Sequence, residues 1–349
     1  MSTILVTGGN GFVAAQVLIA ALERDYTVVS TVRTEKKGEE TKTALSSRLS
    51  PAQLSKLSFA IVPVIEDEHA FDKVLTENKF DAVVHTATPF ILSAKDPKEI
   101  TGPAVGSTKS LFKAINDLAP TVKRVVLTSS FASVVDPAKG WRSGYVYSEK
   151  DWNPISWEET HDGDGSHAYY GAKKWAEKAA WEYMEENKPH FDLVALCPPM
   201  VFGQVAQYVP SAEALNTSSA ALFQMLSPGA NADGSIPPHS VALWVNVADL
   251  GTAHVLALSA KDASNKRFII AADGTYNNKA ICDVFRSHFP DLASRIPTKV
   301  PEGFNEDGTP IGGSYTADNS LSKEVLGLKY QSLEDTMVQF GESVKKFVQ

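Results

Sequence analysis

The sequence predicts an α/β fold built on a doubly wound parallel sheet, and three observations support this. Short β-branched runs alternate with helical patterns from residue 3 to residue 130. A glycine-rich turn joins the first strand-like run to the first helical pattern. The 349 residues, 43% hydrophobic and 21% charged, can bury a full core without disulfides or metal. Because the strand–helix unit repeats, we expect helices on both faces of the sheet.

The first 130 residues contain five predicted strands that alternate with four predicted helices. The predicted strands are Thr3–Val6, Thr27–Val32, Phe59–Ile65, Ala82–Thr86 and Arg124–Thr128. The predicted helices between them are Phe12–Arg24, Glu39–Ser47, Ala70–Asn78 and Gly106–Leu118. Each strand-like run has four to seven residues, a length that is usual for strands of a buried sheet.

The chain becomes less regular after the fifth strand. The polar segment Asp136–His167 is predicted to form a long surface loop, and loops of this length are often functional. A helix is predicted at Ala168–Asn187 and a further strand at Leu193–Cys197. These two elements extend the α/β alternation beyond the loop.

The pair Pro198-Pro199 then ends the regular pattern, and we expect a second domain to begin there. The larger domain is predicted to contain residues 1–198 and about 241–274, with Trp244–Ala271 returning to the main sheet. The smaller, discontinuous domain is predicted to contain about 199–240 and 275–349 and to cover a substrate.

Composition and charge exclude several classes of function. The net charge is −8 and the basic residues are scattered, whereas a nucleic-acid surface needs a concentrated basic face. The two cysteines, Cys197 and Cys282, and the eight histidines show no metal-ligand spacing, so no metal is predicted. The N-terminus lacks signal-peptide features, and the longest apolar stretch, Phe12–Leu22, is too short for the ~18 residues of a membrane span. We therefore expect a cytoplasmic protein without nucleic-acid or membrane partners.

The segment Thr7–Ala14 (TGGNGFVA) lies between the first strand and the first helix. Its glycines allow a tight turn and a close approach of the backbone to a pyrophosphate, which the helix N-terminus then binds. Gly9, Gly11 and Ala14 also satisfy the G-x-G-x-x-G/A frame. Such a turn can be purely structural, but its place between strand and helix predicts dinucleotide binding.

The residues that follow the second strand distinguish between the two nicotinamide cofactors. An NAD-binding protein usually has an acid there, which bonds the ribose 2′-hydroxyl. This chain has Arg33, with Lys36 or Lys37 as a second charge, and a guanidinium suits a 2′-phosphate. A hydrogen bond to a charged group contributes ~1.5–3 kcal/mol, or roughly 10- to 150-fold in affinity. The pattern predicts NADPH, although a solvated basic turn has the same composition.

Two further features are predicted to meet at the carboxyl edge of the sheet. The fifth strand ends in Thr128-Ser129-Ser130, and Tyr169 and Lys173 lie four residues apart on one face of a helix. A lysine stabilises the phenolate of a neighbouring tyrosine and so lowers its pKa, which suits acid–base catalysis near neutral pH. Ser130 would hydrogen-bond and polarise a substrate oxygen. A Tyr-x-x-x-Lys pair alone usually lies on the exposed face of a surface helix. The prediction therefore rests on the combination of this pair with the glycine turn and the strand that ends in serines.

With these motifs the chain resembles the extended short-chain dehydrogenase/reductases. That family has T-G-x-x-G-x-x-G/A, a T-S-S strand end and Y-x-x-[SA]-K-x-x-A-E, and all three patterns are present here. Within it the chain is most similar to the dihydroflavonol-reductase-like branch and to fungal NADPH-dependent methylglyoxal, aldehyde and ketone reductases. The stretches Val122–Ser130, Ala168–Trp181 and Cys197–Gly203 carry this likeness.

The resemblance implies roles for individual residues. Ser130 would polarise the carbonyl, Tyr169 would donate the proton and Lys173 would assist it. The shifted pair Tyr170/Lys174 stays open, but Ala176-Glu177 has the family spacing from Lys173 only. The implied cofactor-binding residues are Thr7, Gly8, Gly11, Phe12, Val13, Arg33, Lys37, Ile65, Thr86, Ala87, Pro198, Pro199 and Val201. Many relatives have an acid after the third strand to bond the adenine amino group, whereas this chain has Val64-Ile65.

Four apolar side chains are candidates for the substrate pocket, although each could equally belong to the core: Phe90, Phe131, Met200 and Trp244. The function that fits best is reduction of a hydrophobic, aryl or α-dicarbonyl aldehyde or ketone with NADPH. Two alternatives on the same scaffold are a sterol-type dehydrogenase or a nucleotide-sugar epimerase, and a non-enzymatic NADP-binding sensor. The oligomeric state is open between monomer and homodimer.

Overall fold

The computed structural model describes residues 2–87, 98–162, 165–227 and 233–348. In this part of the chain seven strands form one parallel sheet, in the order β3-β2-β1-β4-β5-β7-β10. They are β1 (Thr3–Thr7), β2 (Thr27–Val32), β3 (Leu57–Ile61), β4 (Ala82–His85), β5 (Arg124–Thr128), β7 (Asp192–Cys197) and β10 (Lys266–Ile269). The predicted doubly wound parallel sheet is therefore present.

Two short strand pairs lie outside the main sheet. β6 (Val146–Tyr147) pairs with β11 (Thr316–Ala317), and β8 (Met200–Phe202) pairs with β9 (Trp244–Asn246). The expectation that the chain returns to the main sheet from Trp244 onwards is wrong for β9 and right for β10, which adds the edge strand next to β7.

The described residues also form twelve α-helices. They are α1 (Phe12–Glu23), α2 (Glu35–Leu45), α3 (Pro51–Leu54), α4 (Asp72–Glu77), α5 (Lys98–Leu118), α6 (Trp157–Asp162), α7 (Gly165–Asn187), α8 (Thr217–Leu226), α9 (Val247–Ser259), α10 (Asn278–His288), α11 (Ser320–Leu326) and α12 (Leu333–Val344). None of the helices described is long and apolar enough to cross a membrane.

Apolar cores lie on both faces of the sheet, because alternate side chains of a strand point to opposite faces. On β1, Ile4 and Val6 belong to the core beneath α1 and α9, whereas Leu5 belongs to the core beneath α5 and α7. Gly251 lets α9 approach α1 closely, since a Cβ there would lie 2.7 Å from the backbone of Gln16. Helices α5 and α7 pack against each other within the chain.

A third apolar core lies apart from these two, in the C-terminal half of the chain. It combines residues of β8 and α8 with residues of α10 and α12, such as Phe202, Leu222, Phe285 and Phe340. The domain boundaries given above, and the role of the smaller domain in covering a substrate, remain a prediction.

Several element boundaries differ from the prediction for local reasons. α2 begins at Glu35 rather than at Glu39, because the side chain of Thr34 caps it by accepting from the amide of Lys37. The long loop after β5 contains β6 and α6, and its Tyr147 is buried. The loop is therefore partly integrated into the core.

Candidate active site

The glycine turn after β1 is held tightly against β2. The amides of Gly8 and Gly9 donate to the hydroxyl and the carbonyl oxygen of Thr31, at 3.0 and 2.9 Å. Gly8 has a φ of 73°, a left-handed conformation that favours glycine. A Cβ on Gly9 would lie 2.1 Å from Oγ of Ser30, so this position requires glycine as well. The turn thus has a fixed conformation where it leads into the N-terminus of α1.

Thr7, the last residue of β1, links the glycine turn to the end of β4. Its hydroxyl oxygen accepts from the amides of Thr86 and Ala87, at 3.2 and 3.1 Å, and lies 2.8 Å from Nδ1 of His85. Because the oxygen already accepts twice, its proton points to Nδ1, which places the imidazole proton on Nε2. Burial, with Lys173 as a second cause, lowers the pKa of His85 to about 3. His85 is therefore neutral, and its hydrogen bond with Thr7 joins the ends of β1 and β4.

Ser130 is placed at the end of β5 by a short 3-10 helix. It is the N-terminal cap of Phe131–Ser133, and its hydroxyl accepts from the amide of Ala132 at 3.1 Å. The amide of Phe131 donates to the carbonyl of Pro198 at 2.8 Å, which joins the ends of β5 and β7. Ser130 has only 9% of its surface exposed, so its hydroxyl has a defined place at the carboxyl edge.

Tyr169 and Lys173 project from α7 toward this serine. Tyr169 and Ser130 are joined by a side-chain hydrogen bond, and burial raises the pKa of Tyr169 despite this bond. Burial also lowers the pKa of Lys173 to about 8. The sequence argument expected a lowered pKa for the tyrosine, whereas in this structure burial dominates and keeps the phenol protonated. A protonated phenol next to the serine suits a proton donor.

The shifted pair Tyr170/Lys174 is arranged differently. Lys174 is buried against the loop, where its Nζ donates to the carbonyl oxygen of Ile155 and lies 4.6 Å from the ring of Trp175. Lys173, in contrast, lines the same cavity as Ser130 and Tyr169. Tyr170 lines that cavity too, but the lysine that follows it by four residues points elsewhere. The geometry favours the frame that begins at Tyr169.

One cavity of about 610 Å³ joins the glycine turn to these three side chains. One end is formed by the turn and the start of α1, including Gly8, Gly11, Phe12 and Val13. The segment after β7 and the N-terminus of α8 complete the wall, with Pro198, Pro199, Met200, Val201, Asn216, Thr217 and Ser218. The same cavity is therefore lined by the start of α1 and by the hydroxyl, phenol and ammonium groups of Ser130, Tyr169 and Lys173.

A buried ionic network supports the catalytic side of the cavity. Glu177, one turn after Lys173 on α7, accepts from the hydroxyls of Ser129 and Ser133, each at 2.5 Å. Its carboxylate also pairs with Arg267 of β10 at 2.5 Å. The network ties α7 to the end of β5, and so fixes Ser130 relative to Lys173.

Comparison with known proteins identifies the family. The profile of the NAD dependent epimerase/dehydratase family matches residues 4–271. The chain belongs to this family. The predicted fold class and the resemblance to extended short-chain dehydrogenase/reductases are therefore confirmed.

Several members of the family are similar over the full length. Ketoreductase azaE of Aspergillus niger is 38% identical over 95% of this chain and 94% of its own. NADPH-dependent methylglyoxal reductase GRE2 of Saccharomyces cerevisiae is 33% identical over 99% of this chain and 98% of its own. The crystal structure of Gre2 from Candida albicans in complex with NADPH matches all of both chains, with a TM-score of 0.87 and 31% identity.

Five of the cofactor-binding residues expected from the family resemblance do not line the cavity. Thr7 is buried beneath the turn, and Ala87 lies against Gly8, where a Cβ on that glycine would come within 3.1 Å of the Cβ of Ala87. Arg33 and Lys37 follow β2; Arg33 is exposed, and Nζ of Lys37 lies 2.8 Å from Glu40. The remaining residue is the half-buried Ile65, which packs on the core beneath α5.

The predicted substrate pocket needs correction. Phe131 and Trp244 are each only 2% exposed and belong to the core, where Phe131 packs edge-on against Tyr147 with ring centroids 5.4 Å apart. Met200 does line the cavity. Phe90 lies outside the described residues. Phe131 begins the short 3-10 helix after β5, and Trp244 is the first residue of β9.

Residues 216–218, which were not predicted as site residues, bring the N-terminus of α8 to the cavity. Nδ2 of Asn216 donates to Oγ of Ser218 at 3.0 Å, whereas its Oδ1 is buried without a partner in the described structure. The run Asn-Thr-Ser-Ser before a helical pattern is a typical helix start and could have indicated an exposed helix N-terminus. Nothing in the sequence placed that terminus beside the glycine turn.

Proposed function

We propose that this chain is an NADPH-dependent carbonyl reductase that converts hydrophobic aldehydes and ketones, including α-dicarbonyls, to alcohols. The observation that carries the proposal is the single cavity that joins the glycine turn to Ser130, Tyr169 and Lys173. The activities for which the similar proteins are named, ketoreduction and methylglyoxal reduction, support the same reaction type.

The residues present fit a dinucleotide phosphate. The amides of Gly8 and Gly9 are used within the turn, which leads to the first residues of α1, Phe12 and Val13, in the cavity wall. The first amides of a helix have no partner within the helix and suit a phosphate. Oδ1 of Asn216 is a buried acceptor without a protein partner, which a ligand donor at the cavity would satisfy. Arg33, exposed just after β2, is free of competing ion pairs among the described residues and would hold the 2′-phosphate, with Lys37 beside it. When bound, NADPH supplies the hydride for the carbonyl carbon.

The chain supplies the proton and the polarisation. Ser130 donates a hydrogen bond to the carbonyl oxygen, which draws electron density from the carbon, and Tyr169 transfers its phenolic proton to that oxygen. The cationic Lys173 stabilises the phenolate that remains, and its charge is present below a pKa of about 8. The neutral His85 adds no competing charge beside the lysine.

The reaction is tested by following NADPH absorbance with purified protein and a panel of aldehydes, α-dicarbonyls and aryl ketones. We expect Tyr169→Phe to bind NADPH as the wild type does and to lose nearly all turnover. Tyr170→Phe is the matched control, because it removes a neighbouring phenol of the same cavity, and it should remain active. No turnover of any compound by the wild type, or loss of activity in the control alone, would refute the proposal.

A further inference from the structure

A second cavity, of about 460 Å³, shares Met200 with the cavity described above. It is formed by β8, α8 and residues 237–241, and is closed by Tyr276 and Asn278. None of the described side chains that line it carries a formal charge at neutral pH. Methionine side chains are flexible and adapt to irregular space. An apolar substituent of a substrate can therefore extend past Met200 from one cavity into the other.

His239 is the distinctive polar group of this second cavity. Its ring lies among three aromatic side chains, with centroid distances of 5.3 Å to Trp141, 5.4 Å to Tyr276 and 4.9 Å to Phe304. These contacts fix the plane of the imidazole. The ring can therefore present a nitrogen to the cavity in one direction.

Nε2 of His239 is buried and has no hydrogen-bond partner in the described structure. Burial lowers the pKa of His239 to about 4, so the ring is neutral near pH 7. A neutral imidazole has one nitrogen that donates and one that accepts, and a buried polar atom without a partner is rare in native proteins. His239 and Asn216, which have these unpaired atoms at Nε2 and Oδ1, line the two adjoining cavities.

We infer that His239 is a specificity residue whose Nε2 hydrogen-bonds a second, uncharged oxygen on the arm of the carbonyl substrate. The preferred substrate is then an aldehyde or ketone with a hydroxyl, ether or ester oxygen several bonds from the reacting carbonyl. An adjacent oxygen, as in an α-dicarbonyl, stays near Ser130 and does not reach past Met200. A carboxylate is disfavoured, because nothing charged among the described lining residues would balance it. This inference rests on the proposed function.

The test compares two ketones that differ by one oxygen, 4-phenylbutan-2-one and 4-(4-hydroxyphenyl)butan-2-one. A neutral hydrogen bond predicts that wild-type kcat/KM favours the hydroxylated ketone by roughly 3- to 10-fold. His239→Phe keeps a flat ring among Trp141, Tyr276 and Phe304 and should reduce this ratio to about 1. His239→Gln retains a donor and an acceptor and should recover part of the preference. Melting temperatures establish that each variant is folded.

Tyr276→Phe is the control, since it removes a different polar group from the same cavity. The preference should persist in this variant. A ratio that is equal in wild type and His239→Phe, or that disappears in Tyr276→Phe instead, would overturn the inference. Calorimetric binding of both ketones to NADPH-loaded protein separates the two proposals. A His239-dependent binding ratio without turnover refutes only the proposed reaction, whereas turnover without that ratio refutes only the role of His239.

Discussion

Replacement of Glu177 by glutamine tests the buried network that holds the catalytic helix. The Glu177 side chain is fully buried and accepts from Ser129, Ser133 and Arg267 at 2.5 Å, and from Nε1 of Trp181 at 3.1 Å. In the glutamine variant, an NH2 group would replace one of the two carboxylate oxygens. Because both oxygens accept hydrogen bonds, this NH2 group would lie against at least one of the donors. The substitution would also remove the charge that balances a buried guanidinium.

The loss of stability in Glu177→Gln depends on the contacts that Arg267 keeps in the variant. Removal of one partner of a buried ion pair typically costs 3–5 kcal/mol. Arg267 still donates to the carbonyl oxygens of Glu149 and Asp151, at 2.8 and 2.9 Å, and its guanidinium lies 3.6 Å from the ring centroid of Trp152. We therefore expect the low end, about 3 kcal/mol. For a chain of this length that lowers Tm by about 4 °C.

The assay is unfolding by heat and by urea, with Asp117→Asn as the matched control. Asp117 also forms an acid–base pair, with Lys113 at 2.6 Å, but on the exposed surface of α5. The control should unfold like the wild type, because exposed pairs contribute little. The effect of Glu177→Gln should persist at high salt, which screens surface charges but not buried ones. If Glu177→Gln and Asp117→Asn unfold alike, the network does not stabilise the fold as argued.

Three further outcomes follow from the site. Arg33→Ala should weaken NADPH binding by about 10- to 150-fold and leave NADH binding unchanged, measured by fluorescence titration; equal losses for both cofactors would contradict the 2′-phosphate assignment. Gly9→Ala should destabilise the fold because of the clash with Oγ of Ser30, and Ser30→Ala should recover part of the loss, as melting temperatures would show. The rate of carbonyl reduction should fall as pH rises through about 8, where Lys173 loses its charge, and stay level from pH 5 to 7, where His85 is already neutral; a profile without a fall near pH 8 would exclude this role for Lys173.

The sequence was sufficient to predict the first half of the fold because its signals are local. The strands β1, β2, β4 and β5 each have a β-branched run, and parallel strands end at one edge of a sheet, so the glycine turn and Ser130 had to meet there. The second half depends on pairings between distant segments. The partner of β8 is β9, more than 40 residues along the chain, and no local pattern specifies it.

The site was predictable only where a motif marked it. Ser130, Tyr169 and Lys173 lie in recognisable patterns, and the structure brings all three to one cavity. Asn216 lies in a typical helix start and His239 in a segment without a motif, and neither pattern indicates that the residue lines a cavity. Phe131 and Trp244 were assigned to the pocket from hydrophobicity, which does not distinguish a cavity wall from a buried core.

The separation of the third apolar core from the two cores of the sheet affects how such a protein can diverge. Substitutions in residues 221–225 of α8 or in residues 237–241 alter the second cavity, while the network of Glu177 and Arg267 is anchored to α7 and β10. Substrate range can therefore change over evolutionary time, or in a directed library, without altering the hydride and proton chemistry. A library confined to the third core should yield new selectivities at little cost in turnover.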